Sequence, residues 1–142
     1  HKVLLKKIRS LKIPIVMCRS KSGGAHLFLF VDDAVSAALM QKTLRGLAAS
    51  FGFSSSEIFP KQIDISEGRY GNFLNLPYHG GDSSFRYAYK DDGSSATLEE
   101  FYKLYLKYVV KKSSLSKLNV DSKDDAVPDG PPCLQLLCYL HQ

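Results

Sequence analysis

The sequence predicts an α+β domain with a mostly antiparallel sheet and helices packed on it. Two short runs, the β-branched and apolar 13–18 and the alternating 25–31, flank a polar glycine turn and predict a β-hairpin. Two longer segments, 34–51 and 98–110, carry apolar residues at helical spacing and predict amphipathic helices. Helices that cover an apolar face of a sheet bury both kinds of pattern, which is why this class is expected.

The remaining elements follow from local signals. Residues 2–11 alternate apolar positions with lysines at helical spacing and predict the end of a surface helix. We expect Asp32 or Asp33 to cap the helix that follows the hairpin, because Asp is a preferred N-cap residue. The runs 73–78 and 85–90 predict two further strands, joined by a polar loop.

Composition divides the chain into three parts. Residues 1–112 hold the predicted catalytic core, including a helix that starts with the capping-box pair Thr97 and Glu100. Residues 113–132 are rich in Ser, Lys, Asp and Pro, which predicts a linker. Residues 133–142 are apolar again and are predicted to start a truncated downstream element.

The overall composition excludes some classes of protein. The 142 residues are 44% hydrophobic, and no apolar run approaches the roughly 20 residues of a membrane span. Three cysteines, an odd number, argue against a disulfide framework and for a reducing compartment. A net charge of +5 is compatible with a polyanionic partner without requiring one.

The turn of the predicted hairpin has an unusual composition. Gly23 and Gly24 allow backbone N–H groups to approach a ligand closely, as phosphate-binding loops require. Ser22 and His26 add two side-chain donors beside the turn, and His26 shares a strand face with Phe28. The segment therefore indicates either a phosphate site or a tight hairpin with a structural histidine.

A carboxylate and a group of potential metal ligands occur further along the chain. Asp64 lies in a predicted loop between apolar flanks, where it either binds a divalent metal through oxygen or caps a turn. Cys133, Cys138 and His141 have the residue types of zinc ligands, but they number three and we expect no zinc there.

Together these segments resemble the archaeo-eukaryotic primase superfamily, the primase-polymerases. That family has an Asp-x-Asp/Glu pair on a strand, a Ser-x-His motif often written S-G-G-x-H, and a hydrophobic-Asp pair followed by a strand. Residues 22–26 match the second motif and Ile63-Asp64 the third, with GNFLNLPY behind it. The sequence pattern FPKQ…GNFLNLPY is similar to that of the family branch found in phage primases and prokaryotic conflict systems. The resemblance covers about residues 13–111 and implies an RRM-like catalytic core.

The resemblance implies template-dependent nucleotidyl transfer from nucleoside triphosphates. In that reaction a 3′-hydroxyl attacks the α-phosphate, assisted by two divalent ions, Mg²⁺ or Mn²⁺. Asp64 is the implied catalytic carboxylate and metal ligand. The implied nucleotide-binding residues are Ser22, Gly23, Gly24 and His26. The basic candidates for phosphate or template contacts are Lys21, Lys61 and Arg69.

The implied partners are nucleoside triphosphates, a single-stranded DNA template and a fused or associated helicase. The implied setting is DNA replication in the cytoplasm of a bacterial host, encoded by a phage or plasmid, with no membrane involved.

The chain departs from the family pattern at the first motif. It has no Asp-x-Asp or Asp-x-Glu pair upstream of Arg19, so we expect it to begin just after that motif and to be inactive alone. Two alternatives stay open. One is a non-catalytic single-stranded nucleic-acid-binding module that uses the basic loops with Phe28, Phe30 and Tyr70. The other is a metal-dependent phosphoesterase that uses His26 and Asp64.

Overall fold

The computed structural model of the chain describes residues 1–64 and 70–118, together with the backbone of a strand at 135–140. The described residues confirm the α+β class. They contain three α-helices: α1 (Lys2–Ser10), α2 (Ala37–Phe51) and α3 (Leu98–Tyr108). They also contain four strands: β1 (Ile15–Arg19), β2 (Ala25–Val31), β3 (Glu57–Phe59) and β4 (Gln135–Leu140). Short 3₁₀ helices form at Gly81–Ser83 and Lys112–Leu118.

The four strands form one sheet in the order β1-β2-β4-β3. The predicted hairpin is confirmed, because β1 and β2 pair antiparallel with Cys18 opposite His26. The strand β4 pairs parallel with both β2 and β3, so the sheet is mixed around its antiparallel hairpin. The predicted division into a core (1–112), a linker (113–132) and a downstream element (133–142) stays a prediction. The strand β4, from the predicted downstream element, pairs with two strands of the predicted core.

The two further strands expected at 73–78 and 85–90 are not formed as regular strands. In the first, Tyr78 adopts a left-handed φ of 56°, which ends extended backbone. In the second, pairing is limited to isolated bridges, one of which joins Ala88 to Cys18 at the outer edge of β1. Tyr78, Ala88 and Tyr89 of these runs are buried, whereas Phe73 and Phe85 are exposed, so the apolar pattern of the two runs is only partly buried.

One face of the sheet packs against α1 and α2. Buried side chains of β1 and β2 meet the apolar stripe of α2 there, and together they form the larger of two cores among the described residues. The N-cap of α2 is Ser36, whose hydroxyl accepts the Leu39 N–H at 3.2 Å, and not Asp32 or Asp33 as expected. Asp32 instead accepts the backbone N–H of Lys112 at 2.8 Å, and Asp33 forms an ion pair with the same lysine.

The other face packs against α3 and the segment before it. Phe28 and Phe30 stack with ring centroids 6.0 Å apart, and Tyr105 of α3 meets Phe30 edge-on. The predicted capping box of α3 is confirmed, since the Thr97 side chain accepts the Glu100 N–H and Glu100 accepts the Thr97 N–H. This second face also carries His26.

The described chain past α3 remains attached to the domain. Leu115 of the 3₁₀ helix Lys112–Leu118 is fully buried in the core on the α2 side. None of the helices in the described part of the chain combines the length and apolar character needed to span a bilayer.

Candidate nucleotide site

The turn between β1 and β2 is closed by its own backbone. The Ser20 N–H donates to the Gly24 carbonyl at 2.8 Å, and the Gly23 N–H donates to the Ser20 carbonyl at 3.1 Å. Gly23 has a φ of 89°, a left-handed conformation that favours glycine and explains its presence here. The hydroxyl of Ser22 is exposed and lies 3.3 Å from that of Ser20. The turn thus presents a hydroxyl and a small backbone surface to solvent.

His26 lies two residues beyond this turn, on the face that packs against α3. Its side chain is almost buried, with 9% of the residue exposed, and its ring meets Phe28 edge-on at 6.3 Å. Burial lowers the pKa of His26, and the positive charge of Arg86 lowers it further, whereas Glu57 acts in the opposite direction. The imidazole is therefore neutral near pH 7, with one ring N–H available as a donor.

The pairing of the strands places two further charged residues on the same face. Glu57 of β3 and His26 of β2 are both opposite Gln135, on the two sides of β4, which puts them two strand spacings or about 10 Å apart. Ile58 packs in the core on the α2 side, so its neighbours Glu57 and Phe59 face the α3 side with His26.

Arg86 reaches this face from the opposite edge of the sheet. Segment 86–89 runs antiparallel to β1, with Ala88 paired with Cys18. The Arg19 N–H donates to the Tyr87 carbonyl at 2.8 Å. The next pair in this register is Ser20 and Arg86. Since Ala88 packs in the core on the α3 side, Arg86 starts from that same side. The buried Nε–H of Arg86 has no acceptor among the described residues.

Sequence reasoning missed both charged residues. Glu57 begins the run Glu57-Ile58-Phe59, whose alternation of polar and apolar residues was a signal of a short strand. Arg86 lies two residues before Ala88, which forms the bridge to β1. Their proximity to His26 depends on strand order across the whole sheet, which no local pattern reveals.

Asp64 occupies a separate position. It is exposed and lines a pocket of about 360 Å³ whose described lining also includes Met40, Phe59, Asn72 and Leu74, and does not include His26. The structure therefore does not bring Asp64 and His26 into one described pocket, which leaves the phosphoesterase alternative without geometric support.

The basic candidates differ in their surroundings. Lys61 forms an ion pair with Glu57 and lies over the ring of Phe59, 4.9 Å from its centroid. Lys21 is exposed on the hairpin turn. The prediction for Arg69 lies outside the described residues, as does the zinc prediction at the end of the chain.

Potential metal ligands are dispersed over the described part of the chain. Within residues 1–64 and 70–118, no group of three or more His, Cys, Asp or Glu side chains lies close enough together to hold an ion. The residues described thus do not by themselves fit a two-ion centre.

The chain is an α+β domain in which a glycine turn, His26 and Arg86 lie towards one sheet face, a combination of donors that suits a phosphate group. The comparison with family models makes this specific. The chain belongs to the archaeo-eukaryotic primase domain family of TOTE conflict systems, whose model matches residues 1–117. This confirms the family and the conflict-system branch that the sequence motifs predicted. Comparisons with curated proteins and with solved structures gave no match.

Proposed function

We propose that this chain binds a nucleoside triphosphate at the β1–β2 turn and serves a template-dependent primase-type nucleotidyltransferase. The observation that carries the proposal is the placement of Ser22, Gly23, Gly24 and His26 at one end of one sheet face in a member of a primase domain family. The family consists of primase domains, which belong to the nucleotidyltransferases. Template-dependent nucleotidyl transfer by this chain itself is part of the proposal.

The described groups suit phosphate binding. The Ser22 hydroxyl is exposed and Gly23 brings no side chain, so phosphoryl oxygens can approach the turn closely. His26 offers one N–H from a nearly buried ring whose orientation is limited by Phe28. A negative charge beside the imidazole favours its protonation, so nucleotide binding is expected to raise the pKa of His26.

Catalysis needs more than these groups. We propose Mg²⁺ or Mn²⁺ as the cofactor, which when bound would activate the attacking hydroxyl and stabilise the leaving pyrophosphate. Asp64 stays the predicted metal ligand, and Glu57, across β4 from His26 on the same sheet face, is a further candidate carboxylate. Because the described residues do not form an ion centre by themselves, we assign no catalytic step to them.

A direct test is dATP binding by the 142-residue chain, measured by isothermal titration calorimetry. His26→Ala should weaken binding at least about tenfold, as expected for the loss of a hydrogen bond to a charged ligand, with an unchanged far-UV spectrum. His79→Ala is the matched control, because His79 is exposed in the loop before Gly81–Ser83 and should bind as the wild type does. If His26→Ala lowers the melting temperature while its folded fraction binds dATP normally, His26 is structural and the proposal fails.

A second candidate, single-stranded nucleic-acid binding, is favoured by a different set of side chains. The stacking role expected for Phe28 and Phe30 is not available, because only 1% and 5% of these residues are exposed. Tyr70 is 91% exposed, as expected for a stacking residue, and Phe73, three residues later, is 96% exposed.

Anisotropy with a labelled oligo-dT and no nucleotide separates the two candidates. If the chain is a stacking module, Tyr70→Ala and Phe73→Ala will weaken binding and His26→Ala will not. Tyr102→Ala, at an exposed tyrosine on α3, is the control for general surface effects.

A further inference from the structure

Arg86 is placed for a role that neither the sequence motifs nor the family match assign. The register of segment 86–89 on β1 puts Arg86 opposite Ser20, and Ser20 in turn bonds to Gly24 across the hairpin. Arg86, Ser20 and Gly24 thus form one row across the sheet. The next row on the same face, two residues or about 7 Å along the strands, contains Ala88, Cys18 and His26.

Ser20 is the middle of the first row, and Gly24, at its end, brings no side chain. The row therefore has an arginine at one end and a glycine at the other, and His26 follows Gly24 in the next row. The pKa of His26 is lowered by burial and, after it, by the positive charge of Arg86, which agrees with the neighbouring rows that the two residues occupy. A linear polyanion fits such an arrangement better than a single phosphate, because the donors are spread over two rows.

The hydrogen bonds of Arg86 support the same assignment. Its Nε–H is buried and has no acceptor among the described residues, a state that is rare unless a ligand or water completes it. The neighbouring Arg19 differs, since its Nη1 already donates to the carbonyls of Ser20 and Phe85, each at 3.3 Å. Lys61 is also occupied, by its ion pair with Glu57.

We infer that Arg86 binds the polyphosphate group of the nucleotide, acting with His26 and the Gly23-Gly24 turn. This rests on the proposed function and deepens it, because it names the guanidinium that neutralises the triphosphate. A guanidinium suits this role through paired N–H groups that match two phosphoryl oxygens.

The test measures tripolyphosphate binding to the 142-residue chain by calorimetry, so that no catalysis is needed. Arg86→Gln should bind at least about tenfold more weakly than the wild type, the loss typical of a charge-assisted hydrogen bond. Arg45→Gln is the matched control, because Arg45 is exposed on α2, which packs on the opposite face of the sheet. Equal affinity of Arg86→Gln and the wild type, or no binding by the wild type, would overturn the inference.

Two further measurements keep the result decisive. If Arg86→Gln does not fold, NMR of the wild-type arginine Nε–H groups replaces it: the Arg86 signal should shift with tripolyphosphate, and an unmoved signal refutes the inference. His26→Ala separates the two proposals. If it loses tripolyphosphate binding and Arg86→Gln does not, only the inference about Arg86 fails. If Arg86→Gln loses tripolyphosphate binding and His26→Ala does not, the assignment of Arg86 stands and the proposed role of His26 fails.

Discussion

Tyr78 connects three parts of the second sheet face through one hydroxyl group. That hydroxyl donates to the Ala96 carbonyl at 2.7 Å and accepts the Ala88 N–H at 2.9 Å, both in buried surroundings. Burial raises the pKa of Tyr78 to about 12, so the group remains a neutral donor at every pH at which the domain is studied. Tyr78→Phe keeps the ring and removes both hydrogen bonds.

The expected cost follows from the two groups left unpaired. A buried donor or acceptor that loses its partner costs about 1–3 kcal/mol, and a net hydrogen bond contributes about 1 kcal/mol. Since the Ala88 N–H and the Ala96 carbonyl both lose their partner, we expect Tyr78→Phe to lower the free energy of unfolding by about 2–6 kcal/mol.

Urea unfolding followed by far-UV circular dichroism measures this difference. The midpoint should fall with little change in the slope, because the surface exposed on unfolding stays the same. Tyr102→Phe is the control, since Tyr102 is 58% exposed on α3, and its loss should stay within about 0.5 kcal/mol. A similar small loss for Tyr78→Phe would show that water or a local shift satisfies both backbone groups, and would refute the reasoning.

Two further predictions concern charge, and a third concerns activity. Burial raises the pKa of Asp91, but hydrogen bonds from Lys107 and Arg9 outweigh it and lower that pKa to about 2. Asp91→Asn should therefore lower the free energy of unfolding by about 1 kcal/mol at neutral pH, a value kept small because a third of the Asp91 side chain is exposed to solvent. The difference between the variant and the wild type should vanish as the pH falls towards 2, which unfolding curves in acid measure. Because the pKa of His26 is lowered in the folded state, the unfolded chain binds the proton more readily, and the free energy of unfolding should decline as the pH falls below about 6.5. His26→Gln should remove this decline, which unfolding curves at several pH values measure. In primer extension with all nucleotides and Mg²⁺ or Mn²⁺, the 142-residue chain should give no product, because its described residues form no ion centre by themselves, and robust extension would contradict this reasoning.

The parts of the fold that depend on neighbouring residues could be predicted from the sequence. The hairpin follows from two apolar runs around Gly23, and the start of α3 from the spacing of Thr97 and Glu100. The N-cap of α2 was misplaced because Asp33 and Ser36 are both good capping residues, and only the position of the first helical turn decides between them.

The parts that depend on tertiary packing could not be predicted. The run 73–78 has the apolar content of a strand, but Tyr78 uses its hydroxyl to hold two other segments and turns the chain. Asp64 follows the family pattern in the sequence, whereas its position in the structure depends on where the chain leaves β3. Glu57 and Arg86 became candidates only through the order of the strands.

The two sides of the proposed phosphate site are held in different ways, and this difference has a mechanistic consequence. His26 is placed by the hairpin itself, through pairing with a residue eight positions away at Cys18. Arg86 is placed through contacts with two other segments. Its carbonyl accepts the Tyr78 N–H at 2.9 Å, and the Tyr78 hydroxyl accepts the Ala88 N–H. Ala88 in turn pairs with Cys18, 70 positions earlier in the chain. Loosening the contacts around Tyr78 would therefore move the guanidinium while leaving the imidazole and the glycine turn in position. Affinity for a polyphosphate would then depend on how segment 86–89 is docked against β1, whereas the shape of the turn would not.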